Sequence, residues 1–198
     1  MRILVTSFGP FNNFNANPSS QIMIRLKERV NLSSPPLGFF TFETIEVSWS
    51  CVSKFIEAKK NEVFDFIIHL GVASNESKIR IETCGQNIQT GNDIENISPN
   101  GHEIIKNESN LNTNVSIEIL NNFVSKNEHV SISNDAGSYL CNYLYYKSLY
   151  FLGKKSLVLF IHTADTQNQP TAPNVDYQSE IILKLIDILT NKTPYNSV

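Results

Sequence analysis

Cysteine is scarce and scattered in this chain. Its three cysteines, Cys51, Cys84 and Cys141, form no C-x-x-C pair and leave one over from any pairing. That spacing argues against a disulfide framework and a zinc site, and it suits a reducing compartment. The loop after the first apolar run lacks the spaced glycines and the Gly-Lys-Ser/Thr ending of a phosphate cradle. A formal net charge of −3 offers no basic footprint for nucleic acid or an anionic membrane. No apolar run approaches the ~20 residues of a membrane span. The opening MRILVTSFGPF is not expected to act as a signal peptide, because Gly9-Pro10 interrupts it at once. The expectation is a cytoplasmic protein with no membrane or nucleic-acid partner, no cofactor and no metal.

What is present reads as one globular unit. Hydrophobic residues make up 41% and charged residues 18%, and 198 residues suit a single domain spanning 1–198. Residues 1–6 form a short β-rich run, followed by an aromatic, Asn-rich loop. Asn17-Pro18-Ser19-Ser20 then offers an N-cap for a helix ending near Val30. Alternation over 39–47 predicts a strand, and 50–60 a short helix. VFDFIIHLG (63–71) and SLVLFI (156–161) are nearly continuous apolar runs, as expected of strands covered on both faces. Residues 78–84 alternate as a further strand, and 85–110 read as a hairpin or extended loop. Helices are expected over 113–125, 136–151 and 176–189, with a short strand over 129–132. The fold class is therefore α/β: a single-domain three-layer α/β/α sandwich around a mostly parallel central sheet.

Four side chains could carry chemistry. Cys141 follows an Asn/Asp/Gly/Ser turn near the start of an aromatic-rich helix, where unpaired backbone N–H groups would lower a thiol pKa. Taken alone, the commoner role of such a thiol is a small core residue. His69 and His162 each stand at the end of an apolar strand, where open α/β sheets bind ligands. Either could equally be a structural hydrogen-bonder. His162 follows Cys141 across one helix and one strand, a natural separation for a base returned beside a helix N-terminus. Glu82, inside an alternating segment, could orient an imidazole, or it could be an exposed strand residue paired with Arg80. Cys84 and Cys51 read as structural thiols.

Four segments occur in an order that carries a resemblance: VTSFGPFNNFNANPSS, IRIETCGQN, ISNDAGSYLCNYLYYKSLY and LFIHT. Together they resemble the pyroglutamyl-peptidase I (pyrrolidone-carboxylate peptidase) family of cytosolic cysteine peptidases, over nearly the whole chain. The resemblance implies an α/β/α sandwich and a Glu–Cys–His triad on Glu82, Cys141 and His162. It implies an exopeptidase whose partners are peptides with N-terminal pyroglutamate, cleaved through a thioester, and a homo-oligomer, dimer or tetramer. It also places a ring-contacting phenylalanine at Phe11. Phe8 and Phe14 of the same loop would suit an apolar wall, or they anchor the loop by ordinary packing. An uncharged lactam needs apolar walls and a few amide hydrogen bonds.

The chain departs from the family pattern in three places. Asn96 takes the place where relatives commonly carry an arginine, and it could donate to an oxyanion without bringing charge. Val72-Ala73-Ser74-Asn75 replaces a glycine-rich turn, and Thr163-Ala164-Asp165 follows His162 where relatives often have Val-Pro. The alternative reading is a non-catalytic or altered-specificity relative that binds a pyroglutamyl or other lactam ligand. A nucleoside- or phosphate-binding enzyme would want a Gly-rich or Arg-lined anion site, which the sequence does not offer.

Overall fold

The computed structural model describes residues 1–11, 16–32, 37–99 and 101–192. In chain order the elements are β1 (Arg2–Phe8), α1 (Pro18–Leu32), β2 (Phe39–Ile45), α2 (Trp49–Lys59), β3 (Phe66–Val72), β4 (Ile79–Glu82), β5 (Cys84–Gly85), β6 (Leu111–Asn112), α3 (Ile117–Val124), β7 (Val130–Ser133), α4 (Leu140–Phe151), β8 (Leu157–Thr163) and α5 (Val175–Lys192). Six strands make one sheet in the order β2-β1-β3-β8-β4-β7, and β5 pairs with β6 separately. β2, β1, β3 and β8 run parallel. β4 runs antiparallel to β8 and carries β7 parallel to itself. The sheet is thus mostly parallel, with one reversal.

Period-two alternation explains why the central strands carry apolar residues on both faces. Ile3, Val5, Phe66, Ile68, Leu70, Leu159 and Ile161 point to one face, where α1, α3 and α5 bring Ile22, Leu26, Leu120, Phe123, Ile182 and Leu185. Leu4, Ile67, Val158 and Phe160 point to the other, under Val52 and Ile56 of α2 and Leu144, Tyr145 and Leu149 of α4. Both faces are covered, so β3 is buried along its whole length. A half-buried strand would have shown polar residues at every second position.

Two helices start later than their sequence pattern suggests. Residues 113–116 lie outside α3: Thr113 donates its hydroxyl to the Val158 carbonyl, and Ser116 caps the helix by accepting from the Ile119 N–H. Residues 136–139 lie outside α4, because Gly137 sits at φ 82° and the preceding turn is held by the Asp135 carboxylate accepting the Gly137 N–H. A left-handed residue ends helical continuity, and glycine takes that conformation at little cost. The consequence is local but decisive: Cys141 becomes the second residue of α4 instead of a residue in its second turn.

The long excursion between β5 and β6 is closed as a hairpin by those two strands. Its interior is organised by Asn87, whose Oδ1 accepts the Ile104 and Ile105 N–H groups while Nδ2 donates to the Ile105 and Glu108 carbonyls. Asparagine suits this role because one amide can replace several backbone partners.

Candidate active site

The site begins with the strand reversal. His162 is the penultimate residue of β8, and its Cα neighbours across the sheet are Gly71 on β3 and Arg80 on β4. Because β4 runs antiparallel, Glu82 lies beside Phe160, two residues back along β8 and on the same face as His162. Its carboxylate Oε1 therefore reaches the imidazole, accepting from Nδ1–H at 2.7 Å. A carboxylate on Nδ1 fixes the tautomer that leaves Nε2 with its lone pair. Glu82 is fully buried, and the same Oε1 accepts from Arg80 Nε at 3.1 Å and Nη2 at 3.0 Å. Tyr145 donates its hydroxyl to the Glu82 carbonyl at 2.9 Å, locking the strand under α4. Glu82 is thus neither an exposed strand residue nor tied to Arg80 alone.

Cys141 descends onto this pair from α4. Its Sγ lies over Gly71, so close that a Cβ there would stand 2.8 Å from the sulfur and 2.8 Å from the Phe160 ring. Gly71 is the cross-strand partner of His162, so the thiol lies over the strand position next to the one that carries the imidazole. Glycine is required at this point by the approach of the side chain above it.

The thiol is not poised as an anion. Burial, reinforced by the Glu82 charge and opposed by Arg80, pushes the Cys141 thiol up to about 12. The rate of Cys141 alkylation by iodoacetamide is accordingly expected to rise about tenfold per pH unit from 7 to 10. A plateau near pH 7, followed by mass spectrometry of the modified peptide, would contradict this.

A shallow apolar recess opens beside the sulfur, walled by Phe8, Phe11, Val47, Val72, Tyr139 and Leu140, with Asn17 as its polar member. Asn17 has a second role: its Nδ2 donates to the Gly9 carbonyl, and its Oδ1 accepts from Ser19 N–H and Oγ–H. It fixes the loop after β1 to the start of α1. Phe8 and Phe11 therefore stand where the sequence expects a wall, and Phe14 lies outside the described residues. Val72 belongs to one of the departing turns, and Val47, Tyr139 and Leu140 were not foreseen. Leu140 and Tyr139 flank the nucleophile candidate, and that adjacency was the available signal.

Asn96 is not brought to this recess. It is exposed on a turn, left-handed at φ 61°, and its Oδ1 accepts from Asn92. The turn is moored to α2 by Asp93, which accepts from the N–H groups of Trp49, Glu95 and Ile97. It meets the recess through Tyr139, whose hydroxyl donates to the Asn92 carbonyl, and through Val47, whose carbonyl accepts from the Ile94 N–H.

The other histidine at a strand end is a core residue. His69 bridges Thr6 Oγ1 at 2.7 Å and Ser148 Oγ at 2.8 Å, and burial lowers its pKa to about 3. Since the unfolded chain protonates near pH 6.5 and the fold does not, stability is fully present above that value and falls as pH drops toward 3. The loss should be about 1.4 kcal/mol per pH unit across this window. His69→Gln is expected to flatten the acid arm of the stability curve, measured by urea titration at several pH values. An unchanged arm would contradict a neutral His69.

The two departing loops meet each other. The Ala73 N–H donates to the Thr163 carbonyl, the Asn75 N–H to Asp165 Oδ2, and the Asp165 N–H to the Glu76 carbonyl. Cys51 donates to Glu46 Oε2, and Cys84, half-buried, is raised by burial and by Asp135. Among the described residues no cluster of His, Cys, Asp and Glu could hold a metal ion, and no helix is long and apolar enough to cross a membrane.

With this geometry in hand, similarity to known proteins is informative. A family model described as pyroglutamyl peptidase matches residues 1–175. The pyrrolidone-carboxylate peptidase of Thermosipho melanesiensis is 31% identical over 176 residues, covering 85% of each chain. A solved variant of the Pyrococcus furiosus pyrrolidone carboxyl peptidase superposes with a TM-score of 0.83 at 22% identity, covering 98% of this chain and 100% of that one. Pyroglutamyl peptidase I of Bacillus amyloliquefaciens gives 0.79 at 21% identity, over 97% and 95%.

Proposed function

The chain belongs to the pyroglutamyl peptidase family, a family of peptidases acting on pyroglutamyl peptides, and from that premise we propose that it is a cysteine exopeptidase using Cys141, His162 and Glu82. The observation that supports this most is the 2.7 Å bond from His162 to Glu82 beside a thiol resting over Gly71. Glu82 holds the imidazole so that Nε2 can take a proton. His162 removes the Cys141 proton as the sulfur attacks the carbonyl between the lactam ring and the next residue. The developing oxyanion is met by N–H groups at the start of α4, which have no intrahelical acceptor. On collapse His162 returns the proton to the departing amine, leaving a pyroglutamyl thioester. Water, activated by His162, then hydrolyses the thioester and frees Sγ.

The recess supports the choice of substrate. An uncharged five-membered lactam can lie against Phe11 and Phe8 without burying a charge, whereas a free N-terminal ammonium would be desolvated with no carboxylate among the recess residues. Asn96 has no part in this proposal, since it is exposed. We assign the protein to the cytoplasm because its three cysteines are free, treat 1–198 as one domain, and extend the family's homo-oligomeric state to it on resemblance alone.

The test is hydrolysis of a chromogenic pyroglutamyl amide, with the corresponding prolyl amide as control. Turnover of the first and not the second is the expected result, abolished by thiol alkylation and unaffected by a chelator. A folded wild-type protein without pyroglutamyl turnover would sink the reading. Binding of pyroglutamate without turnover would favour the lactam-binding alternative, which the neutral resting thiol keeps worth testing.

A further inference from the structure

We propose that Arg80 is a positioning residue for the triad, holding the Glu82 carboxylate aimed so that His162 keeps the tautomer able to accept the thiol proton. This rests on the triad reading above. A fully buried carboxylate without a cation tends to keep its proton. A protonated Glu82 would donate to Nδ1 instead of accepting from it, and the imidazole proton would move to Nε2, facing the thiol. The base would then be occupied before the reaction began.

The geometry of Arg80 prevents this. Its Nε and Nη2 both donate to Glu82 Oε1, the same oxygen that accepts from His162. Oε2 is buried and without a hydrogen-bond partner among the described residues, so the charge of the carboxylate is balanced entirely on one side. The guanidinium is itself held at two further points. Nη1 donates to Glu76 Oε1 at 3.2 Å, in the loop before β4. Nη2 also donates to the Asp135 carbonyl at 3.2 Å, in the turn that leads into α4. Arg80 thus links Glu82 to the segment that carries Cys141. A lysine could supply the charge but not this planar fork.

Removing the guanidinium changes the field at every neighbour. The titratable groups around it and its partner Glu82 are Glu76 ahead of β4, Asp135 ahead of α4, Cys141 and Tyr145 on α4, and His162 on β8, with Cys84 on β5 interacting with Asp135 and Tyr145. Loss of a cation makes protons easier to bind at each of them, so the acid limb of the rate profile should move to higher pH.

The experiment compares wild type, Arg80→Gln and Arg80→Lys, using a pyroglutamyl amide for kinetics and ¹⁵N NMR of His162 for the tautomer. In Arg80→Gln, kcat is expected to fall about 10- to 100-fold with KM changed less than about twofold. The acid limb should shift upward, and the ring proton should move from Nδ1 to Nε2. Arg80→Lys should recover part of kcat and keep the Nδ1–H tautomer. Wild-type kcat and tautomer in Arg80→Gln, or a lower melting temperature alone, would overturn the proposal. If Arg80→Gln does not fold, Arg80→Lys decides: a several-fold lower kcat supports the fork, and wild-type kcat overturns it. Wild-type protein inert toward the amide would defeat the peptidase reading instead, and the NMR comparison would still test Arg80.

Discussion

Cys141→Ser is expected to lower kcat/KM for a pyroglutamyl amide by at least about 10³-fold, the scale seen when a nucleophile of this kind is removed. The thiol is already pushed up to about 12 by burial and Glu82. A hydroxyl in the same place is a far weaker acid, and its shorter bond to Cβ draws the nucleophile back from the carbonyl. His162 would have to remove a harder proton over a longer distance. The fold should tolerate the exchange, which changes little volume, so a melting curve close to that of wild type is part of the expected result. A variant retaining more than about a tenth of the rate would move the nucleophile elsewhere and leave Cys141 as the core residue that its type suggests. Serine at Cys84 or Cys51 should leave the rate within about twofold, since neither sulfur faces His162.

Gly71→Ala should be nearly as severe, for a steric reason. The added Cβ would stand 2.8 Å from Cys141 Sγ and 2.8 Å from the Phe160 ring. Neither neighbour can withdraw easily, because Phe160 is fully buried under Tyr145 and the sulfur is tied to the first turn of α4. Overpacking of this sort costs about 1–3 kcal/mol, which lowers the melting temperature by roughly 2–12 °C for a chain of this size. Displacing the sulfur by about 1 Å can cost about 10²-fold in rate. Calorimetry and the amide assay measure the two separately. A variant with wild-type melting and wild-type kcat would mean that the sulfur does not rest over Gly71 during turnover.

Much of this architecture is legible from residue order. The apolar runs ending at Gly71 and Ile161 become β3 and β8, and Asn17-Pro18-Ser19 opens α1, because burial on both faces and capping leave local signatures. Strand direction leaves none. IRIE reads the same whether β4 runs parallel or antiparallel to β8, yet only the antiparallel arrangement puts Glu82 Oε1 at 2.7 Å from His162. The surroundings of the thiol are similar: a helix N-terminus is visible in the order of residues, whereas desolvation depends on what packs above it. His69 and His162 look alike in sequence, each closing an apolar run. What separates them is Thr6 and Ser148 around one and Glu82 beside the other. Asn96 was expected near the site from the resemblance, but its left-handed turn keeps its side chain in solvent.

The contact between the two unusual loops bears on how this enzyme can be re-engineered. Asp165 is fully buried, and it accepts from the N–H groups of Asn75, Gln167 and Asn168 while its own N–H meets the Glu76 carbonyl. The segments after β3 and after β8 are therefore coupled as one structural unit. A chimaera importing a relative's loop at only one of the two positions would strand a buried carboxylate or orphan its donors. Grafts into this scaffold need to exchange residues 72–76 and 163–168 together.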